Sequence, residues 1–176
     1  RDLRSDRMIA GLALTLHDVS EQRSLQRELT HRSFHDALTG LPNRSLFTDR
    51  VSRALSRPRR AGTAMAVLVV DLDDLNVVND SMGHTVGDEL LVAAAGRLTT
   101  LARGQGTAAR LGADEFALLV EEADGDSAVE RHAQQIVEAF TEPFTLTSGP
   151  VIATATIGVA TTGDSTDAGD LVRHAD

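Results

Sequence analysis

The sequence predicts an α/β chain, an α+β sandwich with helices packed on a central, mainly antiparallel sheet. Three observations carry that reading. AMAVLVVDLDDLN, residues 64–76, holds five consecutive apolar residues from Ala66 to Val70, the pattern of a strand buried on both faces. TAARLG and EFALLVEE flank a short turn and read as a β-hairpin. Strand and helix patterns follow one another as β-α-α-β-β-α-β with short connections, which suits helices layered on one sheet.

MIAGLALTL at 8–16 is apolar and strand-like. The stretch 20–35 reads as a helix, with Ser20 as cap and Leu25 and Leu29 spaced i,i+4. It is polar on most faces, so it is expected either to stand as a solvated linker or to coil with its own copy. DALTGLPNR, 36–44, is a junction punctuated by Gly40 and Pro42. A helix over 44–56 carries Leu46, Phe47, Val51 and Leu55 on one side, and the basic loop 57–62 ends it. The first strand is followed by a short helix, a break at Gly83 and a long helix over 87–102. The hairpin tip is placed at 112–115, with Gly112 supplying the positive φ that two-residue turns favour. A helix over 126–140 directs Ile136, Val137 and Phe140 inward, 143–147 and 151–161 give the last strands, and DAGDLVRHAD starts a final helix.

Hydrophobic content of 41% supports one ordinary core, but with five Phe and no Trp or Tyr that core is built from Leu, Val, Ile and Ala. The absence of cysteine excludes disulfides and thiolate metal sites and fits a reducing, cytoplasmic setting. No apolar run reaches the roughly 18 residues of a membrane span, and no signal peptide is visible. The chain opens on Arg1 and is expected to be part of a longer protein. Residues 1–60 carry 12 Arg and 7 acids, net +5, whereas 61–176 carry 5 Arg and 19 acids, net −14. The acidic part lacks the basic footprint of a nucleic-acid surface. It can still take a nucleotide whose phosphates are neutralised by metal ions.

Asp71 ends the buried strand, and Asp114 with Glu115 sits at the hairpin tip. If the hairpin lies beside that strand, these acids converge. Converging hard oxygen donors suit Mg²⁺ or Mn²⁺. Two carboxylate-held ions about 3.5–4 Å apart activate an attacking hydroxyl and stabilise a leaving pyrophosphate. Taken singly, each acid reads more readily as a solvated loop residue than as a ligand, but Asp114 and Glu115 together, flanked by core residues, tilt the balance toward a site. Residue type alone likewise leaves Asn79 a helix-end polar group and Asp88 an N-terminal helix charge. The backbone amides of Asp73, Asp74 and Leu75, opening the short helix, can cradle phosphates.

DALTGLPNR, VDLDDLNVVNDSMGHTVGDELL and RLGADEFALL together resemble the GGDEF family, the diguanylate cyclases, in family order and spacing over residues 36–176. MIAGLALTLHDVSEQRSLQREL is similar to the last strand of a PAS sensory domain followed by a signalling helix. The expected organisation is thus a PAS-like remnant at 1–19, a linker helix at 20–35, and a GGDEF domain at 36–176 whose C-terminal end is missing. The resemblance implies a palm-like nucleotidyl-cyclase fold and the condensation of two GTP into cyclic di-GMP and two pyrophosphates across a homodimer. It implies two Mg²⁺ or Mn²⁺ per site, held by Asp71, Asp114 and the Leu72 carbonyl, with Asp114 or Glu115 assisting deprotonation of the 3′-hydroxyl. It places Asn79 and Asp88 at the guanine-reading positions, where a carboxylate accepts from N1–H and the 2-amino group and an amide donates to O6. Asp73 and His84 match usual family positions and are expected to be structural.

The chain departs from the family pattern in three places. Ala113 replaces the second Gly of the signature loop, which costs about 1 kcal/mol if the position needs φ > 0. Asn76 stands where a phosphate-binding Lys is usual, so a charge-assisted contact is lost. The inhibitory Arg-x-x-Asp is matched by Arg103 and Gly106, so its Asp is absent and tight product feedback is not expected. The expected function is a diguanylate cyclase. The alternative is a catalytically weak GTP-binding module regulating an attached cyclic di-GMP phosphodiesterase, and a cyclase acting on another nucleotide is a third reading. Expected partners are GTP, a second copy, an upstream sensory domain and, in the alternative, a downstream phosphodiesterase domain, with no nucleic acid and no membrane segment.

Overall fold

The structure, a computed structural model, describes residues 33–58, 60, 62–104, 106–163 and 167–176. The expected strand remnant at 1–19 and nearly all of the linker helix lie outside the described residues. The elements are α1 (Arg44–Leu55), β1 (Ala64–Leu72), α2 (Leu75–Met82), α3 (His84–Ala102), β2 (Gly106–Arg110), β3 (Glu115–Ala123), α4 (Asp126–Thr141), β4 (Phe144–Leu146), β5 (Gly149–Val151), β6 (Ala155–Thr161) and α5 (Ala168–Ala175).

A four-stranded sheet runs in the order β2-β3-β1-β6, and every pairing in it is antiparallel. The expected sandwich follows from alternation along β1. Ala66, Leu68, Val70 and Leu72 face one core with Leu90, Ala94 and Leu98 of α3 and Ile136 and Phe140 of α4. Met65, Val67 and Val69 face the other with Phe47 and Val51 of α1 and Leu171 and Val172 of α5. Both faces of β1 are therefore covered, which is why its sequence is an unbroken apolar run rather than an alternating one.

α1 begins where Asn43 accepts the Leu46 amide at 3.1 Å, a side-chain N-cap in the 36–44 junction. α2 and α3 are separated by Gly83, as expected, but α3 begins at His84 rather than near residue 87. Two details differ from the sequence reading. Val137 is 43% exposed while Ile136 and Phe140 are buried, because i and i+4 share a face of α4 and i+1 does not. The stretch 151–161 is not one strand. β5 pairs only with β4 in a separate two-stranded sheet, and β6 begins at Ala155.

Candidate active site

β1 and β3 pair in a register that sets Asp71 opposite Glu115. One residue on, the Leu72 amide donates to the Asp114 carbonyl at 3.0 Å. The convergence expected of Asp71, Asp114 and Glu115 is thus produced by strand register. Burial, first, and then the negative charges of Asp114, Asp73 and Asp176 push the Asp71 carboxyl above its ordinary range. This uncompensated acidic patch is the chemistry a divalent cation balances. Among the described residues no three His, Asp or Glu side chains form a complete ligand set. Two carboxylates and a carbonyl, with substrate phosphates supplying the remaining oxygens, is a donor set that fits Mg²⁺.

The hairpin loop spans 111–114 rather than 112–115, and Glu115 is already the first residue of β3. It closes through Leu111 and Gly112 amides donating to the Glu115 carbonyl at 2.7 and 3.2 Å. Gly112 has no positive φ. Its role is close approach, since a Cβ there would lie 3.0 Å from the Glu115 Oε2. Ala113 does not have a positive φ either, so the strain feared for this substitution is absent.

Two arginines that the sequence reading passed over hold this loop. Arg44, at the start of α1, donates to both Glu115 oxygens at 3.0 and 2.8 Å and to the Leu111 carbonyl at 3.2 Å. Arg110, whose side chain is 11% exposed, donates to Asp36 at 3.0 Å and to the carbonyls of Gly112 and Ala113. Asp36 also accepts the Thr39 amide and hydroxyl at 2.8 and 2.7 Å. Burial raises the Asp36 pKa, but the Thr39 bonds and Arg110 outweigh it and leave it below the ordinary value. The 36–44 junction is therefore a clamp on the signature loop. Its available signals were Asp36 and Arg44 within a turn motif and Arg110 as the one cation on the hairpin.

The phosphate-cradle expectation is narrowed. The Asp73 amide donates to the Thr154 carbonyl at 2.9 Å, and its carboxylate accepts from the Thr154 and Thr156 hydroxyls at 2.7 and 2.9 Å. Asp73 braces β1 against β6, and its amide is not open to a ligand. Asp74 is the one non-glycine with positive φ among the described residues (φ 58°) and stands just before α2, with Leu75 buried and Asn76 exposed. Asn79 on α2 packs on Gly87 of α3, where an added Cβ would meet its Oδ1 at 1.9 Å. Asp88 is exposed one residue further along α3. His84 is exposed, and its side chain makes no hydrogen bond among the described residues. Arg103 is exposed just past the end of α3. A Cβ at Gly106 would lie 1.6 Å from the Leu119 carbonyl oxygen, so an Asp there would require the β2–β3 pairing to shift.

The chain matches the family model "Diguanylate cyclase, GGDEF domain" over residues 33–176. It is 40% identical over 151 residues to the bifunctional diguanylate cyclase/cyclic di-GMP phosphodiesterase MucR of Pseudomonas aeruginosa, covering 85% of this chain and 22% of MucR. It superposes on the GGDEF domain of TpbB from P. aeruginosa with a TM-score of 0.76 at 37% identity, covering 81% of this chain and 84% of that one. It also superposes on the coiled coil and GGDEF domain of Caulobacter crescentus DgcB in complex with c-di-GMP, with a TM-score of 0.75 at 27% identity, covering 90% and 84%. The chain thus spans about a fifth of MucR's length. It belongs to the GGDEF family of diguanylate cyclase domains.

Proposed function

We propose that this chain condenses two GTP into cyclic di-GMP and two pyrophosphates. The 3′-hydroxyl of each GTP attacks the α-phosphorus of the other, each new phosphodiester bond releases pyrophosphate, and each hydroxyl proton is lost. The observation that carries the reading is the meeting of Asp71 and Asp114 at the ends of β1 and of the signature loop, joined by the Leu72–Asp114 backbone bond. Diguanylate cyclase domains of this family depend on a divalent metal. Here Asp71, Asp114 and the Leu72 carbonyl would hold Mg²⁺ or Mn²⁺, two per site, which when bound stabilises the developing charge on the phosphates. Glu115 is engaged by Arg44, whereas the Asp114 side chain is not hydrogen-bonded among the described residues. Asp114 is accordingly the better placed of the two to take the hydroxyl proton.

Asp88 and Asn79 read guanine, and the amides of Asp74, Leu75 and Asn76 receive the terminal phosphates, since no acceptor occupies them among the described residues. One chain carries one half of the reacting pair, so turnover needs a second copy. Residues 20–35, following the PAS-like segment at 1–19, set the spacing of the two copies in this reading. A second reading, a GTP-binding module governing an attached phosphodiesterase, is favoured by Asn76 in place of a cationic phosphate ligand, and MucR's name joins the two activities. GTP titration and product assays of the chain and of Asp114→Ala separate the two. Binding with product supports the cyclase, and binding without product supports the module.

A further inference from the structure

α3 carries two adjacent carboxylates, Asp88 and Glu89, with different surroundings. Asp88 has no hydrogen-bond or ionic partner among the described residues. Glu89 is spent on the β4–β5 turn, where its oxygens accept the Thr147 amide at 2.9 Å and the Thr147 hydroxyl at 2.7 Å. Between α3 and this turn lies a groove of about 530 Å³, lined by Leu38, Val92, Ala93 and Leu146, with Asp88 and Thr85 also at its walls. One wall is therefore the β4–β5 hairpin, a two-stranded sheet separate from the main one. Its far end is fixed by Arg97. That guanidinium donates to the carbonyls of Ala139, Glu142 and Pro143 and lies 3.5 Å over the Phe144 ring, which itself packs edge-on against Phe140. The turn end near Asp88 has the Glu89–Thr147 link.

We infer that Glu89 is a positioning residue for the nucleotide base: through Thr147 it sets the width of an apolar slot that takes a purine ring with its hydrogen-bonding edge toward Asp88. The inference rests on the GTP-dependent reading above. A slot with apolar walls and one open carboxylate suits a flat heteroaromatic ring bearing N–H donors. Removing the link lets the hairpin swing away and leaves Asp88 and the metal acids untouched.

The test is steady-state kinetics and direct GTP binding of Glu89→Ala, with Glu89→Gln, Thr147→Ser and Thr147→Val alongside. Glu89→Ala is expected to raise KM for GTP about tenfold and leave kcat within about twofold, since only base positioning is lost. Affinity for inorganic triphosphate, which has no base, stays unchanged. Thr147→Ser, which keeps both donors, behaves as the parent, and Thr147→Val falls between. The double variant Glu89→Ala/Thr147→Val is no worse than Glu89→Ala alone, because both remove one link. An unchanged KM in Glu89→Ala, or an equal loss for GTP and triphosphate, overturns the inference. If the parent chain binds GTP without making product and Glu89→Ala still weakens that binding about tenfold, the slot stands and the cyclase reading falls. If the parent binds no GTP, both fall.

Discussion

Arg110→Ala should disable the signature loop without touching a proposed metal or base ligand. The guanidinium is nearly buried and joins three acceptors: the Asp36 carboxylate and the carbonyls of Gly112 and Ala113. Its removal leaves Asp36 held only by Thr39 and the two loop carbonyls without that donor. Breaking a charge-assisted, largely buried pair of this kind costs about 3 kcal/mol. At about 3 °C per kcal/mol for a domain of this size, Tm falls by about 10 °C. Misplacing the loop by about 1 Å lowers turnover about 100-fold. Arg110→Lys restores charge but not the fork of donors, and so recovers only part of either loss.

The pH dependence has a definite sign. Asp36 is held below its ordinary pKa in the folded state, so its contribution is complete above the unfolded value of about 3.8 and is lost as pH falls through the folded value. The stability gap between parent and Arg110→Ala therefore stays constant from pH 7 to about 4 and narrows below that. Urea denaturation at pH 7, 5, 4 and 3.5 reads it directly. A variant as stable as the parent at pH 7, or a gap that widens as the acid is protonated, would refute the clamp.

Gly106→Asp, which rewrites the missing inhibitory acid, should destabilise the chain by more than 1 kcal/mol and fail to create tight cyclic di-GMP binding, because its Cβ meets the Leu119 carbonyl; calorimetric titration and thermal melts check both. Ala113→Gly should leave stability within about 1 kcal/mol and give no gain from relieved strain, since Ala113 does not have a positive φ. Asn76→Lys should lower KM for GTP several-fold by restoring a charge-assisted phosphate contact. Mg²⁺ should raise Tm of the parent by relieving the repulsion around Asp71, and Asp71→Asn should abolish that rise.

The sheet and its helices were legible because their cues are local. The apolar run 66–70, the hairpin halves and the break at Gly83 each announce themselves within a few residues. The convergence of Asp71 and Asp114 needed only the assumption that the hairpin pairs with β1. What stayed hidden depends on long-range contacts. Arg44 and Arg110 look like surface charges until the fold brings them against Glu115 and Asp36, 71 and 74 residues away in sequence. Gly112 reads as a turn residue, yet its constraint is the Glu115 side chain above it. Asp73 reads as a site acid, but Thr154, just before β6, and Thr156, within it, claim it. Glu89 reads in sequence as a second helix acid beside Asp88, and only its bonds to Thr147 of the returning hairpin set the two apart.

The central claim is the meeting of Asp71 and Asp114 in a site that joins two GTP molecules. Conversion of α-labelled GTP with Mg²⁺ or Mn²⁺, beside Asp71→Asn and Asp114→Ala, tests it most directly. The account predicts labelled cyclic di-GMP from the parent, rising more steeply than linearly with protein concentration, and none from either variant. Product formed equally by Asp114→Ala, or GTP bound by the parent with no product under either metal, would contradict it.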